Sequence, residues 1–245
     1  MDACRRPGHG VLKGAYVRCV HAAAVPLRAI GVLDRLQRAP RDSLRFWLGS
    51  QFAIYDAAQL AKLDVPWWTL PAIARVERWI AARGGDVRVF EYGAGASTAW
   101  LARRCRHVTS VEHDAGFFEA IGPLLARANV ALRLVEPQRG SAAPRTRSGR
   151  RGYADCDFSA YVDAIGTERY DLIVIDGRAR SACLARACAQ LAPGGLIVFD
   201  NSERSRYAAA LDALAGRVQR CRGWAPALPY RSETSLIHLP QEVHG

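Results

Sequence analysis

Two glycines and a small set of acids carry the spacing from which chemistry can be read in this chain. The run Phe90-Glu91-Tyr92-Gly93-Ala94-Gly95-Ala96-Ser97-Thr98 places an acid just before a G-x-G turn, and Glu112 follows Gly93 by about twenty residues. Glycine at 93 permits a turn conformation that a Cβ would resist, and glycine at 95 lets the backbone approach a ligand closely. A helix opening after such a turn presents free N–H groups that suit a carboxylate or a phosphate. An acid at the tip of the next strand suits hydrogen bonding to ribose hydroxyls. The pattern is that of a nucleotide site. Further along, Asp176 and the pair Asp200-Asn201 each close an apolar run.

Those residues need elements to position them. Short apolar runs alternate with helical periods and predict strands over residues 87–92, 107–112, 130–135, 170–176 and 196–200. A further strand over 234–239 reads as an edge strand ending the chain. Helices are predicted over 97–104, behind an Asp114 cap, over 158–165, around Leu184, Cys188 and Leu191, and around Tyr207, Leu211 and Leu214. The fourth strand is nearly all apolar, as when both faces are buried. Such alternation implies parallel βαβ units, hence an α/β fold with a doubly wound sheet. Ligands then bind outside the carboxyl ends of the strands, near the point where strand order reverses. Glu91, Glu112, Asp176 and Asp200 each fall at or near the last residue of a predicted strand, so one rule gathers them at one edge.

Residues 1–84 read as a helical N-terminal extension and 85–245 as the nucleotide-binding domain. Thr69 is placed to cap a helix in which Ile73, Val76, Trp79 and Ile80 share a face, with Gly84-Gly85 ending it. Residues 1–13 and the loop QRGSAAPRTRSGRRG at 138–152 are poor in ordering signals.

The Gly93–Glu112 spacing fits NAD and S-adenosylmethionine (SAM) equally. Two features favour SAM. Thr98 replaces the third glycine of the dinucleotide fingerprint, and Glu91 is placed to accept from a cationic amino group where a pyrophosphate would be repelled. The runs VFEYGAGASTAWLA, TSVEHD, YDLIVIDGRAR and LAPGGLIVFDN, in that order, resemble the successive motifs of class I, Rossmann-like, SAM-dependent methyltransferases, over residues 87–207. They are most similar to a bacterial group with an E-x-G-x-G-x-S-T turn and an S-V-E-H-D second strand. The resemblance implies a seven-stranded, mostly parallel sheet whose last strand is antiparallel, with 234–239 as the candidate. It also implies that Glu91, Gly93, Gly95, Ser97 and Thr98 surround the methionine part of SAM. Glu112 would hold the ribose, His113 would lie beside the adenine or face solvent, and Asp176 would touch the cofactor.

SAM carries its methyl group already activated on a sulfonium, so the protein must align a nucleophile and, for an alcohol, help remove its proton. Asp176, Asp200 and Asn201 are the catalytic candidates. The trio resembles the set that binds Mg²⁺ or another divalent cation in catechol-type O-methyltransferases, where hard oxygen ligands lower the pKa of a bound hydroxyl. One position departs from that pattern. Those enzymes carry a lysine three residues after the first aspartate, and here it is Ala179, flanked by Arg178 and Arg180. In the alternative reading Asp176 touches SAM or water, and Asp200-Asn201 orient loops. Arg178, Arg180 and Arg204 are candidates for an acidic acceptor, or are paired with Asp200 and Glu203. The arginine-rich loop 138–152 reads as a lid or a docking strip, or as a solvated loop, and Trp67, Trp68 and Tyr153 as aromatic walls of an acceptor pocket, with core packing the alternative for the two tryptophans.

Half of the 245 residues are apolar, so a packed core is expected. The net charge of +11 comes almost wholly from arginine spread along the chain, with Lys13 and Lys62 the two lysines. Charge so spread reflects composition as readily as a phosphate-binding surface and makes nucleic acid a weak expectation. Seven cysteines show no metal-type spacing and suit a reducing, cytoplasmic setting. No apolar run is long enough to span a bilayer, and residues 15–36 admit peripheral membrane contact at most. The function expected is O-methylation of a small-molecule, glycan or lipid-linked hydroxyl. The alternative is a non-catalytic SAM-fold module that binds RNA or an acidic partner through its arginines. Aminopropyl transfer would need an N-terminal β-domain that the sequence does not show.

Overall fold

The computed structural model describes residues 7–54, 56–214 and 217–240. The first six residues, part of the 1–13 segment, lie outside them; from Pro7 onward that segment is helical. Helices α1 (Pro7–Ala29), α2 (Val32–Gln37), α3 (Leu44–Ser50), α4 (Ala57–Lys62) and α5 (Leu70–Ala81) precede the first strand. Strands and helices then alternate: β1 (Arg88–Tyr92), α6 (Ala96–Ala102), β2 (His107–Glu112), α7 (Ala115–Leu125), β3 (Val130–Leu134) and α8 (Ser159–Asp163). They continue through β4 (Tyr170–Ile175), α9 (Arg180–Gln190), β5 (Leu191–Asp200), α10 (Ala208–Asp212), β6 (Val218–Trp224) and β7 (Arg231–Ile237).

The seven strands form one sheet in the order β3-β2-β1-β4-β5-β7-β6. β1 to β5 run parallel, and β7 is antiparallel to both β5 and β6. Strand order reverses between β1 and β4, which fixes the crevice beyond their carboxyl ends as the ligand position. Alternate side chains feed opposite faces, as the two-residue period requires. Leu172 and Val174 of β4 and Leu196 and Val198 of β5 join a core with Trp68, Ile73, Val76 and Trp100. Their neighbours Ile173, Ile175, Ile197 and Phe199 join the opposite core with Tyr161, Cys183, Leu184 and Leu211. Helices therefore cover both faces of the sheet.

Three expectations change. The strand at 234–239 is not an edge: β7 lies between β5 and β6, and the edges are β3 and β6. β6 reads Val-Gln-Arg-Cys-Arg-Gly-Trp and buries only Cys221, so it carries no alternating apolar signal and is held by pairing with β7. Thr69 sits at the N-cap of α5 but makes no side-chain cap. Its hydroxyl donates to the Cys221 carbonyl at 2.9 Å and its N–H to Thr234 Oγ1 at 3.1 Å, tying the helix entry to β6 and β7. Trp68 is fully buried against Trp100, with ring centroids 5.8 Å apart, and belongs to the core rather than to an acceptor pocket.

The expected loop at 138–152 is free of helix and strand but is not slack. Gln138 pairs with Asp157, and the Asp157 carboxylate accepts from the Arg145 and Ser159 N–H groups at 2.7 and 2.8 Å. The Ser159 side chain, followed by the Arg145 and Ser159 N–H groups, holds that carboxyl down to about 2. The start of the arginine-rich loop is tied to the Asp157 backbone and its middle to the Asp157 side chain.

Candidate functional site

Beyond the carboxyl ends of β1, β2 and β4 lies a cavity of about 370 Å³, walled by Gly93 to Ser97, Glu112 to Asp114, Asp176 to Arg178, Trp67 and Phe117. The size is that of a small-molecule site. Gly93 has φ +97°, where a side chain is strained, and a Cβ there would meet the Gly177 nitrogen at 2.7 Å. The β1 and β4 turns thus touch backbone to backbone, and the Asp176 N–H donates to the Tyr92 carbonyl at 2.9 Å. A Cβ on Gly95 would meet nothing within 4 Å. Open space in front of that residue is where a ligand would lie against the turn.

The acids divide by depth. Glu91 is fully buried beneath the turn, and its carboxylate accepts from the hydroxyls of Ser97 at 2.5 Å, Thr98 at 2.5 Å and Ser110 at 2.8 Å. Burial pushes its carboxyl up to about 7, against the pull of those three hydroxyls. Thr98 also accepts from the Gly95 N–H at 2.9 Å. Glu91 and Thr98 therefore brace the turn from behind, while Gly93, Gly95 and Ser97 face the cavity. Glu112 stands on the cavity wall. Its Oε1 accepts from the His113 and Asp114 N–H groups at 2.7 and 2.9 Å and lies 2.6 Å from His113 Nδ1. Its own turn thus fixes one oxygen, and among the described residues no donor reaches Oε2. His113 is packed among Tyr153, Phe158 and Tyr161, with centroids about 6 Å away, and is not turned to open solvent.

Arg180 reorganises the expected acceptor machinery. It is buried, and Nη2 donates to both the carbonyl and the Oδ1 of Asp176 at 2.6 Å. Nη1 donates to the Asp200 carbonyl and lies 3.8 Å from Asp200 Oδ2, and Nε donates to the Gly177 carbonyl at 3.1 Å. Its guanidinium is spent on the ends of β4 and β5, so Arg180 is not an acceptor-binding arginine. The same cation stands between the carboxylates of Asp176 and Asp200, where a divalent ion would have to go. Asn201 turns its Nδ2 toward Ser232 Oγ at 3.5 Å. Among the described residues no group of His, Cys, Asp or Glu is arranged to hold a metal, and the donor set of Asp176, Asp200 and Asn201 does not fit one.

Burial raises the carboxyls of both Asp176 and Asp200, the latter to about 8 with the Asp176 charge as the second cause. Asp200, fully enclosed and also accepting from Thr234 Oγ1 at 2.8 Å, is the partner that keeps a proton. Asp176 keeps some exposure on the cavity wall and stays beside Arg180. Of the aromatic candidates, Trp67 lines the cavity and Tyr153 stacks behind it, under Arg178. Phe117, Gly177 and Ser110 were not singled out by the sequence. Nothing in spacing ties Ser110 to Glu91 or turns Phe117 toward the glycine turn.

No protein-family model and no curated relative matches the chain. Solved structures do. A methyltransferase-like protein from Silicibacter pomeroyi is 19% identical, covering 69% of this chain and 88% of its own, with a TM-score of 0.44. An O-methyltransferase of tomaymycin synthesis from Streptomyces achromogenes, in complex with SAM, is 18% identical over 74% of this chain and 88% of its own, at 0.46. A 16S rRNA N2 G1207 methyltransferase from T. thermophilus, in complex with AdoMet and guanosine, is 18% identical over 72% of this chain and 44% of its own, at 0.47. Likeness at that level adds nothing to what the sheet order establishes. With five parallel strands, the reversal between β1 and β4 and an antiparallel β7 inserted beside β5, this chain has the Rossmann-like fold of class I methyltransferases.

Proposed function

We propose that the chain is a SAM-dependent methyltransferase acting on a hydroxyl of a small-molecule, glycan or lipid-linked acceptor. The observation that carries this reading is the pairing of open space before Gly95 with a Glu112 carboxylate held by one oxygen and, among the described residues, met by no donor at the other. Oε2 suits two vicinal hydroxyls of a ribose, and the glycine turn suits the methionine chain lying across it. His113, among Tyr153, Phe158 and Tyr161, supplies a flat aromatic wall for an adenine. When bound, SAM supplies an activated methyl group. The chain supplies position, exclusion of water and a proton acceptor.

Asp176 takes the last role. It is the acid on the cavity wall that Arg180 keeps beside a positive charge, while Asp200 holds the proton that two adjacent carboxylates would otherwise dispute. With SAM held by the glycine turn and Glu112, the acceptor oxygen would receive its methyl group and Asp176 would take the hydroxyl proton. Turnover therefore falls as pH drops through the raised Asp176 pKa, where the base becomes protonated. Paired variants test the assignment. Glu112→Ala should weaken S-adenosylhomocysteine (SAH) binding about a hundredfold or more, by loss of charged hydrogen bonds to the ribose and of the turn they brace. Asp176→Asn should keep SAH affinity within about tenfold while turnover falls by roughly 10²–10⁴. Wild-type SAH affinity in Glu112→Ala removes the cofactor assignment, and wild-type turnover in Asp176→Asn removes the base.

A further inference from the structure

A cluster of arginines stands at the rim of the cavity. Arg178 forms part of the cavity wall, with its guanidinium carbon 5.6 Å from the Tyr153 ring centroid. Its Nε is buried and has no hydrogen-bond partner. Arg150 approaches from the pinned loop, and Arg204 and Arg206 from the β5–α10 connection. The two segments touch: a Cβ on Gly149 would stand 3.7 Å from Arg206 Cδ. Mutual repulsion is visible at Arg150, whose pKa is pushed down first by Arg178, then by burial, with Arg204 and Arg206 adding to it.

Four like charges in one neighbourhood call for an acid. The nearest the protein supplies is Asp176, whose carboxyl burial raises and the Arg180 and Arg204 charges pull down, Arg204 without forming an ion pair. Among the described residues none of the four makes an ion pair with a carboxylate. The acids at hand are committed elsewhere. Asp176 and Asp200 face Arg180, and Asp157 holds the loop. Glu203, the expected partner of the β5-end arginines, accepts from the Glu233 N–H at 3.1 Å and the Ser232 hydroxyl at 3.4 Å. The repulsion is left for a ligand to relieve.

We propose that this rim seats a phosphate-type dianion carried by the methyl acceptor, so that the substrate is a small phosphorylated molecule whose hydroxyl reaches Asp176. The inference rests on the methyltransferase reading of the cavity. A guanidinium fork matches a phosphate with two parallel hydrogen bonds, and a dianion offsets more of the uncompensated charge than a carboxylate does. Arg178 lines the cavity beside Tyr153, and Arg150, Arg204 and Arg206 are exposed near it, whereas a surface for single-stranded nucleic acid tracks a backbone along a groove with a series of stacking platforms.

The test is titration of the full chain with inorganic phosphate at constant ionic strength, with and without SAH, alongside titration with SAH alone. Saturable binding of one phosphate is expected. Arg178→Gln, and separately the triple variant Arg150→Gln, Arg204→Gln, Arg206→Gln, should each weaken phosphate by about tenfold or more. The triple variant should retain SAH affinity within about threefold, since those residues lie off the cofactor wall. No saturation in the wild type, or unchanged phosphate affinity in both variants, overturns the proposal. Displacement of phosphate by an oligothymidylate that binds tighter than phosphate in the wild type, and equally weakly in the triple variant, assigns the rim to nucleic acid instead. Failure of SAH to bind is read in a separate arm and removes the methyltransferase reading, with the phosphate arm still reporting on the rim.

Discussion

Glu91 and Glu112 are both glutamates at strand ends, and only their surroundings separate them. Glu112 was assigned from its distance to Gly93, and it stands on the cavity wall as that spacing requires. Glu91 was expected to meet the ligand, yet it lies under the turn with three hydroxyls closed around it. Sequence order gives the position of such an acid but not its depth, because two of its three partners follow it on α6 and the third comes from β2. The burial has a consequence for stability. A carboxyl raised from 4.5 in the unfolded chain to about 7 in the fold binds its proton more tightly when folded. Its contribution is whole below pH 4.5 and is lost as pH rises through 7, by up to roughly 3 kcal/mol. Glu91→Gln removes the titration. Unfolding free energies measured from pH 4.5 to 8 should decline in the wild type relative to Glu91→Gln, and parallel curves for the two proteins would contradict the buried, proton-holding role. The two turn glycines separate in the same way. Gly93→Ala forces a Cβ onto Gly177 at positive φ and should cost roughly 1–3 kcal/mol in chemical unfolding. Gly95→Val projects into open space and should leave stability within about 1 kcal/mol while blocking SAH. The reverse assignment of effects would place the ligand elsewhere.

At the scale of elements, what was legible is what buries apolar surface with a clear period. β1, β2 and β4 were placed within a residue of their observed ends because their side chains are almost wholly inside, and the cap at Asp114 was visible as a residue type before an apolar period. β6 was not legible. It is an edge strand with arginines facing Glu233, and only its partner β7 makes it a strand. The start of β5 was hidden by Pro193-Gly194-Gly195, which lie inside an irregular stretch of the strand opposite β4. The role of Arg180 was also invisible, since no spacing tells that a helix-opening arginine turns back between two strand ends. That guanidinium is the bolt between β4 and β5. Arg180→Met leaves the enclosed Asp200 and the partly exposed Asp176 without their cation and should lower stability by about 3–5 kcal/mol. Turnover of the wild type in EDTA should be unchanged, because the position between the carboxylates is already filled by protein. Loss of activity in chelator, restored by a divalent ion, would contradict that filling.

Across the whole molecule, the doubly wound fold brings residues from distant parts of the chain to one edge of one sheet. Trp67 precedes the first strand, the glycine turn follows it, Glu112 ends the second and Asp176 the fourth. The net charge of +11, diffuse in the sequence, is partly absorbed by surface pairs such as Arg41, Arg103 and Arg104 around Asp64 and is left uncompensated at the cavity rim. Among the described residues no helix is long and apolar enough to cross a membrane. The measurement that bears most directly on this account is calorimetric titration of the purified chain with SAH and, separately, with NAD. One site of micromolar affinity for SAH is expected, on the order of −8 kcal/mol, with no saturable NAD binding. Absence of SAH binding, or equal affinity for the two nucleotides, would contradict the assignment of the Gly93–Glu112 cavity to SAM.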